Sequence, residues 1–326
     1  MHPAFSVIFL TTLIGVGQGL FLALYTGELY AVVKVLPAEV DNRAFYGGGS
    51  LLALGLLAAG LLASLFHLGR PERGWRAATQ WRSSWLSREV IALPAFMASV
   101  LLYGAVHSLG WNPVLLTLGE SIGVELSLLA GALAMLLALA LFLCTGMIYA
   151  AIKFLQEWAS PLTVINYLLL GAASGFTLAT GFSFYTAPNL MHFYGIWAIV
   201  LTLAALLSRS GSLWRNARLQ YRSSLQTAIG VRHPHITQMA QGAMGGSFNT
   251  REFFHGRSNR FLHSVKWLFL ILVFVVPVIL LAGGLQTGQA PILLSAFLVQ
   301  YIGLLAERWF FFAQARHPQN LYYQTV

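Results

Sequence analysis

His67 and Glu89 bracket a polar stretch between two apolar runs. Residues 66–89 read FHLGRPERGWRAATQWRSSWLSRE, with one histidine, five arginines, two glutamates and three tryptophans. A histidine and a carboxylate at a membrane surface can exchange protons with a lipid-dissolved substrate. Ionisable side chains at that depth are costly and mark functional sites. The same residues admit a plainer role, with His67 capping its helix and Glu89 pairing with Arg88 or Arg73. Spacing alone leaves both readings open.

Location adds Arg70, Arg73 and Trp85 as candidate binding residues. Trp75, Trp81 and Trp85 fit an interfacial aromatic belt and could equally wall an aromatic ligand. Glu72 and Arg76 are placed for a helical ion pair. Near the C-terminus, Glu307 and Arg308 read either as a structural pair or as part of a site on the same face. Tyr149 and Lys153 are weaker candidates there.

The remaining chemistry is sparse. His107 and His192 fall near the opposite face, at the ends of their runs and not deep in a bundle where haem ligands belong. His233, His235, His255 and His263 match no strong metal spacing. The single cysteine, Cys144, cannot supply an iron–sulfur cluster, which is typically held by four. No phosphate loop, hydrolase elbow or paired metal-binding helix motif occurs.

These residues must be positioned by membrane helices. Of 326 residues, 57% are hydrophobic and only 9% charged, far below the roughly 25% charged of a soluble domain. The apolar runs are helix-length, which predicts an all-α integral membrane protein, a bundle of eight transmembrane helices in one membrane domain. The expected spans are 5–33, 49–67, 90–109, 122–152, 162–182, 191–208, 265–285 and 292–312. Gly15 with Gly19, and Gly171 with Gly175, have the spacing that lets helix backbones approach closely. Pro277 should kink the seventh span. Span interiors are almost purely apolar, Gln18 being an exception, which argues against solute transport.

With eight spans, 17 of the 19 basic residues fall on the face carrying both termini and His67, leaving only Lys34 and Arg43 opposite. The positive-inside rule places that face in the cytoplasm of a bacterial cytoplasmic membrane. It also accounts for the net charge of +9 without nucleic acid. Residues 209–264 form a long basic loop on this face, expected to be irregular or ordered by a partner.

Four strings carry a family resemblance: MHPAFSVIFLTTL at the start, FHLGRPERGWRA and WRSSWLSRE in the centre, and AERWFFFAQARHPQNLYY at the end. With them the chain resembles the membrane anchor subunit of the dimethyl sulfoxide reductase family of molybdoenzymes. The resemblance covers essentially the whole chain. It implies eight helices without haem, iron–sulfur cluster or molybdopterin of their own. It implies a four-cluster iron–sulfur subunit docked on the His67/Glu89 face, a molybdopterin catalytic subunit beyond it, and a quinone, menaquinone or ubiquinone, bound by the anchor. The family's functional histidine at the end of helix two corresponds to His67, and its glutamate at the start of helix three to Glu89. The charge bias, which puts this face in the cytoplasm, is more similar to the sulfite-oxidising relatives than to reductases that face the periplasm. The quinone is expected between helices two, three and eight. Electron flow could run from substrate to quinone, or from quinol to a terminal reductase. A structural anchor with no quinone site is the distant alternative.

Overall fold

A computed structural model describes residues 1–36, 41–118, 122–237, 239, 253–318 and 320–323. Among the described residues, eight helices are long and apolar enough to cross a membrane, so the protein is a multi-pass membrane protein. They are α1 (Phe5–Val32), α2 (Arg43–Leu65), α3 (Trp85–Leu109), α4 (Leu126–Ala150), α5 (Pro161–Thr186), α6 (Pro188–Ala217), α7 (Asn259–Thr287) and α8 (Ala290–Ala313).

The centre of the bundle is α1 against α5. Gly15 and Gly19 of α1 meet Gly171 and Gly175 of α5. A methyl added at Gly19 would land on the Gly171 carbonyl, and one at Gly175 on the Gly19 backbone. Only glycine permits that approach, so both expected small-residue motifs serve one interface. Around it pack Leu20, Phe21, Leu24, Leu57, Phe96 and Tyr103, all buried. Hydroxyls inside α5 turn back on their own helix: Ser174 donates to the Leu170 carbonyl at 2.9 Å, Thr177 to Ala173 at 2.9 Å and Thr180 to Phe176 at 2.8 Å. These hydroxyls are thereby satisfied in an apolar setting.

Pro277 lies in α7 just after a π-helical turn, Ile271–Val275. Proline has no N–H, so the carbonyl of Val273, four residues earlier, loses its helical donor. Gln300 of α8 supplies one, its Nε2 donating to Val273 O at 3.2 Å and contacting Thr202 Oγ1 at 3.2 Å. The irregularity expected at Pro277 is thus met by a side chain from the neighbouring helix.

Several boundaries differ from the sequence expectation. The fourth span does not begin at residue 122. Residues there form a strand, β2 (Ile122–Glu125), paired antiparallel with β1 (Val114–Leu118). α3 stops at Gly110, whose φ of +66° is the left-handed stop that glycine accepts readily, and Pro113 blocks resumption of the helix. Asn112 then ties the hairpin to α4, its Oδ1 accepting from the Ser127 N–H at 2.9 Å.

The basic stretch 209–264 is also divided. α6 continues to Ala217, a short helix spans Leu225–Ile229, and α7 starts at Asn259. Arg209, expected in a loop, is inside α6 and 2% exposed. The helix continues because its polar residues find internal partners. Asn166 donates to Ser212 Oγ at 2.7 Å, and Arg215 reaches the Gln156 carbonyl at 3.0 Å. Gly242, Gly245 and Gly246, part of the expected irregular segment, lie outside the described residues.

Candidate functional site

Glu89 sits one turn into α3, because the helix starts at Trp85 with Ser84 as its N-cap. Its carboxylate accepts a hydrogen bond from Thr145 of α4, through Oε1. It lines a crevice with Thr11 and Gln18 of α1, Tyr167 and Ser174 of α5, and Arg308 of α8. The volume is about 20 Å³, room for about one water molecule among polar walls. The crevice walls come from α1, α3, α4, α5 and α8, and no residue of α2 lines it.

His67 is in the turn after α2, exposed, and does not line this crevice. Partial burial still pushes its imidazole below the ordinary value, so it is neutral at pH 7. Arg70 and Arg73 are exposed on the 3₁₀ segment that follows, Pro71–Gln80 and its cap. Arg73 approaches Glu72 at 4.0 Å, an exposed contact of little energetic weight. Glu72 thus faces Arg73, and not Arg76 as a helical pair would have it. Trp85 is half-buried, with the Arg88 guanidinium 4.2 Å from its ring centroid. Arg88 also donates to the Trp81 and Arg82 carbonyls at 2.9 and 2.8 Å. Arg88 and Arg73 are therefore both engaged elsewhere, and neither pairs with Glu89. Trp75 and Trp81 stand exposed, as a membrane-surface belt requires.

Glu307 and Arg308 belong to a buried ion-pair cluster, and Arg308 alone of the two also lines the crevice. Glu307 Oε1 is 2.8 Å from Arg209 Nε, and its Oε2 is 3.6 Å from Arg308 Nε. All three side chains are buried. The triad holds two cations and one anion, so it carries surplus positive charge beside the crevice. The Arg308 guanidinium lies 3.8 Å from the Tyr167 ring centroid, a cation–π contact that partly offsets its lost hydration. Tyr167 stacks in turn on Tyr149 at 5.6 Å, and Trp158 and Phe311 close the same aromatic cluster. Lys153 is exposed nearby.

A second buried polar cluster occupies the opposite end of the bundle. Glu28 of α1 meets His107 Nε2 of α3 at 3.4 Å and accepts a hydrogen bond from Ser127 of α4. Tyr46 stacks on the His107 ring at 4.7 Å. His107 lies near the face that its sequence position implies, but the sequence does not reveal its carboxylate partner. Glu28 is distant in sequence and set in an apolar run. His192 is exposed. Among the described residues, no three His, Cys, Asp or Glu side chains gather as a metal-ligand set.

Thr145, Tyr167 and Gln18 are crevice residues that the sequence does not assign to the site. Their only signal is polarity inside apolar spans.

Residues 1–314 match the family model described as DMSO reductase anchor subunit (DmsC). The protein belongs to this anchor family. Across all 326 residues, and the full length of both proteins, it is 60% identical to the C subunit of sulfite dehydrogenase from Allochromatium vinosum. It is also similar to the C component of anaerobic dimethyl sulfoxide reductase from Haemophilus influenzae, 24% identical over 186 residues, covering 55% of this sequence and 62% of that protein. The family resemblance carried by the four sequence strings is thereby confirmed. Membership of this anchor family is consistent with a non-catalytic role, and the polar groups at the two bundle ends are the features that need a functional account.

Proposed function

We propose that this protein is the membrane anchor and quinone-reactive subunit of a three-subunit molybdoenzyme that oxidises sulfite. A four-cluster iron–sulfur subunit docks on the His67/Glu89 face, with the molybdopterin catalytic subunit beyond it. The full-length similarity to a sulfite dehydrogenase subunit carries the substrate assignment. The 17 basic residues on the face of both termini support a cytoplasmic location for that face and for its partners.

A carboxylate placed between five helices, hydrogen-bonded by Thr145 and lining a polar crevice, is the observation that carries the quinone reading. Bound quinone supplies two-electron, two-proton redox chemistry, and the protein must manage the protons. Arg308 and Glu89 are the groups that would face a quinone oxygen, while the one O–H of Thr145 is given to Glu89. The cavity behind them has the size of a water and not of a ring, so it suits a proton-carrying water. Thr145 fixes the Glu89 carboxylate, Glu89 exchanges the proton, and the Arg209–Glu307–Arg308 triad supplies fixed positive charge. His67, neutral and exposed on the same face, is placed to exchange protons with the aqueous side. Arg70, Arg73 and Trp85 border the docking surface.

The test is Glu89→Gln in the assembled complex. Quinone-linked sulfite oxidation should fall at least about a hundredfold, the scale of a lost general acid–base group, with turnover to a soluble artificial acceptor unchanged. Normal quinone-linked rates in this variant would remove the proton role. A second reading, an anchor that oxidises quinol for a reductase, draws on the match to the Haemophilus protein. That match is partial and weaker in identity than the full-length one.

A further inference from the structure

The ends of α6 and α8 and the start of α7 meet on the basic face. Between them lies a groove of about 700 Å³ that shares no residue with the Glu89 crevice. This is the size range of small-molecule sites, roughly 300–1,000 Å³. Its floor is apolar, with Leu213, Leu262, Phe310 and Ala313. Its rim carries Arg257, Lys266 and Arg316. None of these cations has a carboxylate within 4.0 Å among the described residues. Burial pushes the His255 imidazole down, so the rim charge rests with the two arginines and the lysine.

Polar atoms inside the groove lack partners. Glu157 Oε2, Gln314 Nε2 and Asn320 Oδ1 are buried with no hydrogen bond among the described residues. Glu157 and Asn320 are only 5% and 2% exposed. The other Glu157 oxygen is occupied, accepting from the Tyr221 hydroxyl at 2.7 Å and the Arg316 N–H at 3.3 Å. Buried polar groups are normally satisfied, so these atoms are suited to a ligand that brings its own donors and acceptors.

Depth selects the ligand. Trp214 and Trp267 are exposed, 61% and 60%, and each is the sequence neighbour of a groove residue, Leu213 or Lys266. Exposed tryptophans at helix ends mark the headgroup level of a bilayer. Basic pockets between helices at that level hold anionic lipid headgroups.

We propose that this groove binds one anionic phospholipid whose headgroup carries free hydroxyls, of the phosphatidylglycerol kind. The phosphate is held by Arg257, Lys266 and Arg316. The headgroup hydroxyls donate to Glu157 Oε2 and Asn320 Oδ1. An acyl chain follows Leu262 and Phe310. An acidic peptide would satisfy the cations but leave the apolar floor at tryptophan depth unexplained. The site stands apart from any quinone chemistry.

The test uses the full-length protein in neutral detergent, with lipid retention read by native mass spectrometry and by thermal stabilisation. Three probes separate the contributions: phosphatidylglycerol, phosphatidylmethanol (an anionic diester without hydroxyls) and phosphatidylcholine. The expected order of retention is the order just given. Arg257→Gln with Arg316→Gln should weaken phosphatidylglycerol binding by about tenfold or more, and the paired lysine variants should retain it. Lys266→Gln alone, should the double variant not fold, is expected to weaken binding several-fold. Equal retention of phosphatidylcholine and phosphatidylglycerol would overturn the proposal. So would unchanged binding after charge removal, or preference for an acidic peptide over every lipid.

Discussion

Arg209 and Glu307 form an ion pair of 2.8 Å, Nε to Oε1, with neither side chain reaching solvent. Arg308 makes the pair a triad, and this asymmetry sets the order of damage. Arg209→Leu leaves Glu307 still facing Arg308. Glu307→Leu strands two buried arginines, and an uncompensated buried charge costs about 3–5 kcal/mol. Thermal unfolding of the purified protein should rank Glu307→Leu well below Arg209→Leu. The reverse order would mean that Arg308 does not share the glutamate.

The α1–α5 contact gives a packing prediction. Gly19→Ala and Gly175→Ala each place a methyl on facing backbone, and overpacking of this kind costs about 1–3 kcal/mol. Gly55→Ala and Gly283→Ala meet nothing within 4 Å and serve as controls. Melting temperatures of the four variants check the contrast.

Gln300 and Pro277 should be coupled. Gln300→Leu removes the donor to the buried Val273 carbonyl, a loss of about 1–3 kcal/mol. Pro277→Ala restores a backbone N–H that can serve the same carbonyl. Stability of the double variant should therefore exceed the sum of the two single changes in a double-mutant cycle. Strict additivity would show that the carbonyl does not depend on Gln300.

Thr145→Val isolates the hydrogen bond to Glu89 without touching the carboxylate. A hydrogen bond to a charged group contributes about 1.5–3 kcal/mol, so quinone-linked turnover should fall roughly tenfold or more. Artificial-acceptor turnover should be retained. Quinone-linked rates equal to those of the native complex would leave Thr145 as a packing residue.

His67 gives a pH prediction. Its imidazole lies below the ordinary value because burial disfavours the charged form. It is neutral at pH 7 and gains a proton only as pH falls through that lowered value. Quinone-linked turnover that needs neutral His67 should fall on the acid side, below about pH 6.5. His67→Asn should flatten that limb. A limb of the same midpoint in His67→Asn would assign it to another group.

The spans were legible because eight long apolar runs leave few alternatives in lipid. Their ends were less so. Arg209 and Ser212 look like loop residues by hydropathy, yet Glu307 and Asn166 satisfy them from other helices. Asn259–Lys266 reads as polar, but Ser258 caps it into α7, accepting from the Phe261 N–H at 3.3 Å. The hairpin was hidden because VLLTL and IGVE continue an apolar run without marking its change of geometry. Glu89 was legible by its place after the polar stretch. Its surroundings were not, because Thr145, Tyr167 and Arg308 arrive from helices far along the sequence. His67 stands out in the same polar stretch, but it does not line the crevice around Glu89.

The glycine seam between α1 and α5 also bears on biogenesis. Of the eight helices α1 is made before the others, and it presents its glycine face and Gln18, whose buried amide donates to Ala138 of α4 at 2.9 Å. The helices that cover this face end at Ala150 and Thr186. At 5–20 residues per second, synthesis from the end of α1 to the end of α5 occupies roughly ten to thirty seconds. During that interval α1 has α2 to pack against, but its glycine face lacks the α5 partner. The order of synthesis thus makes the most central helix the one that waits longest for its neighbours.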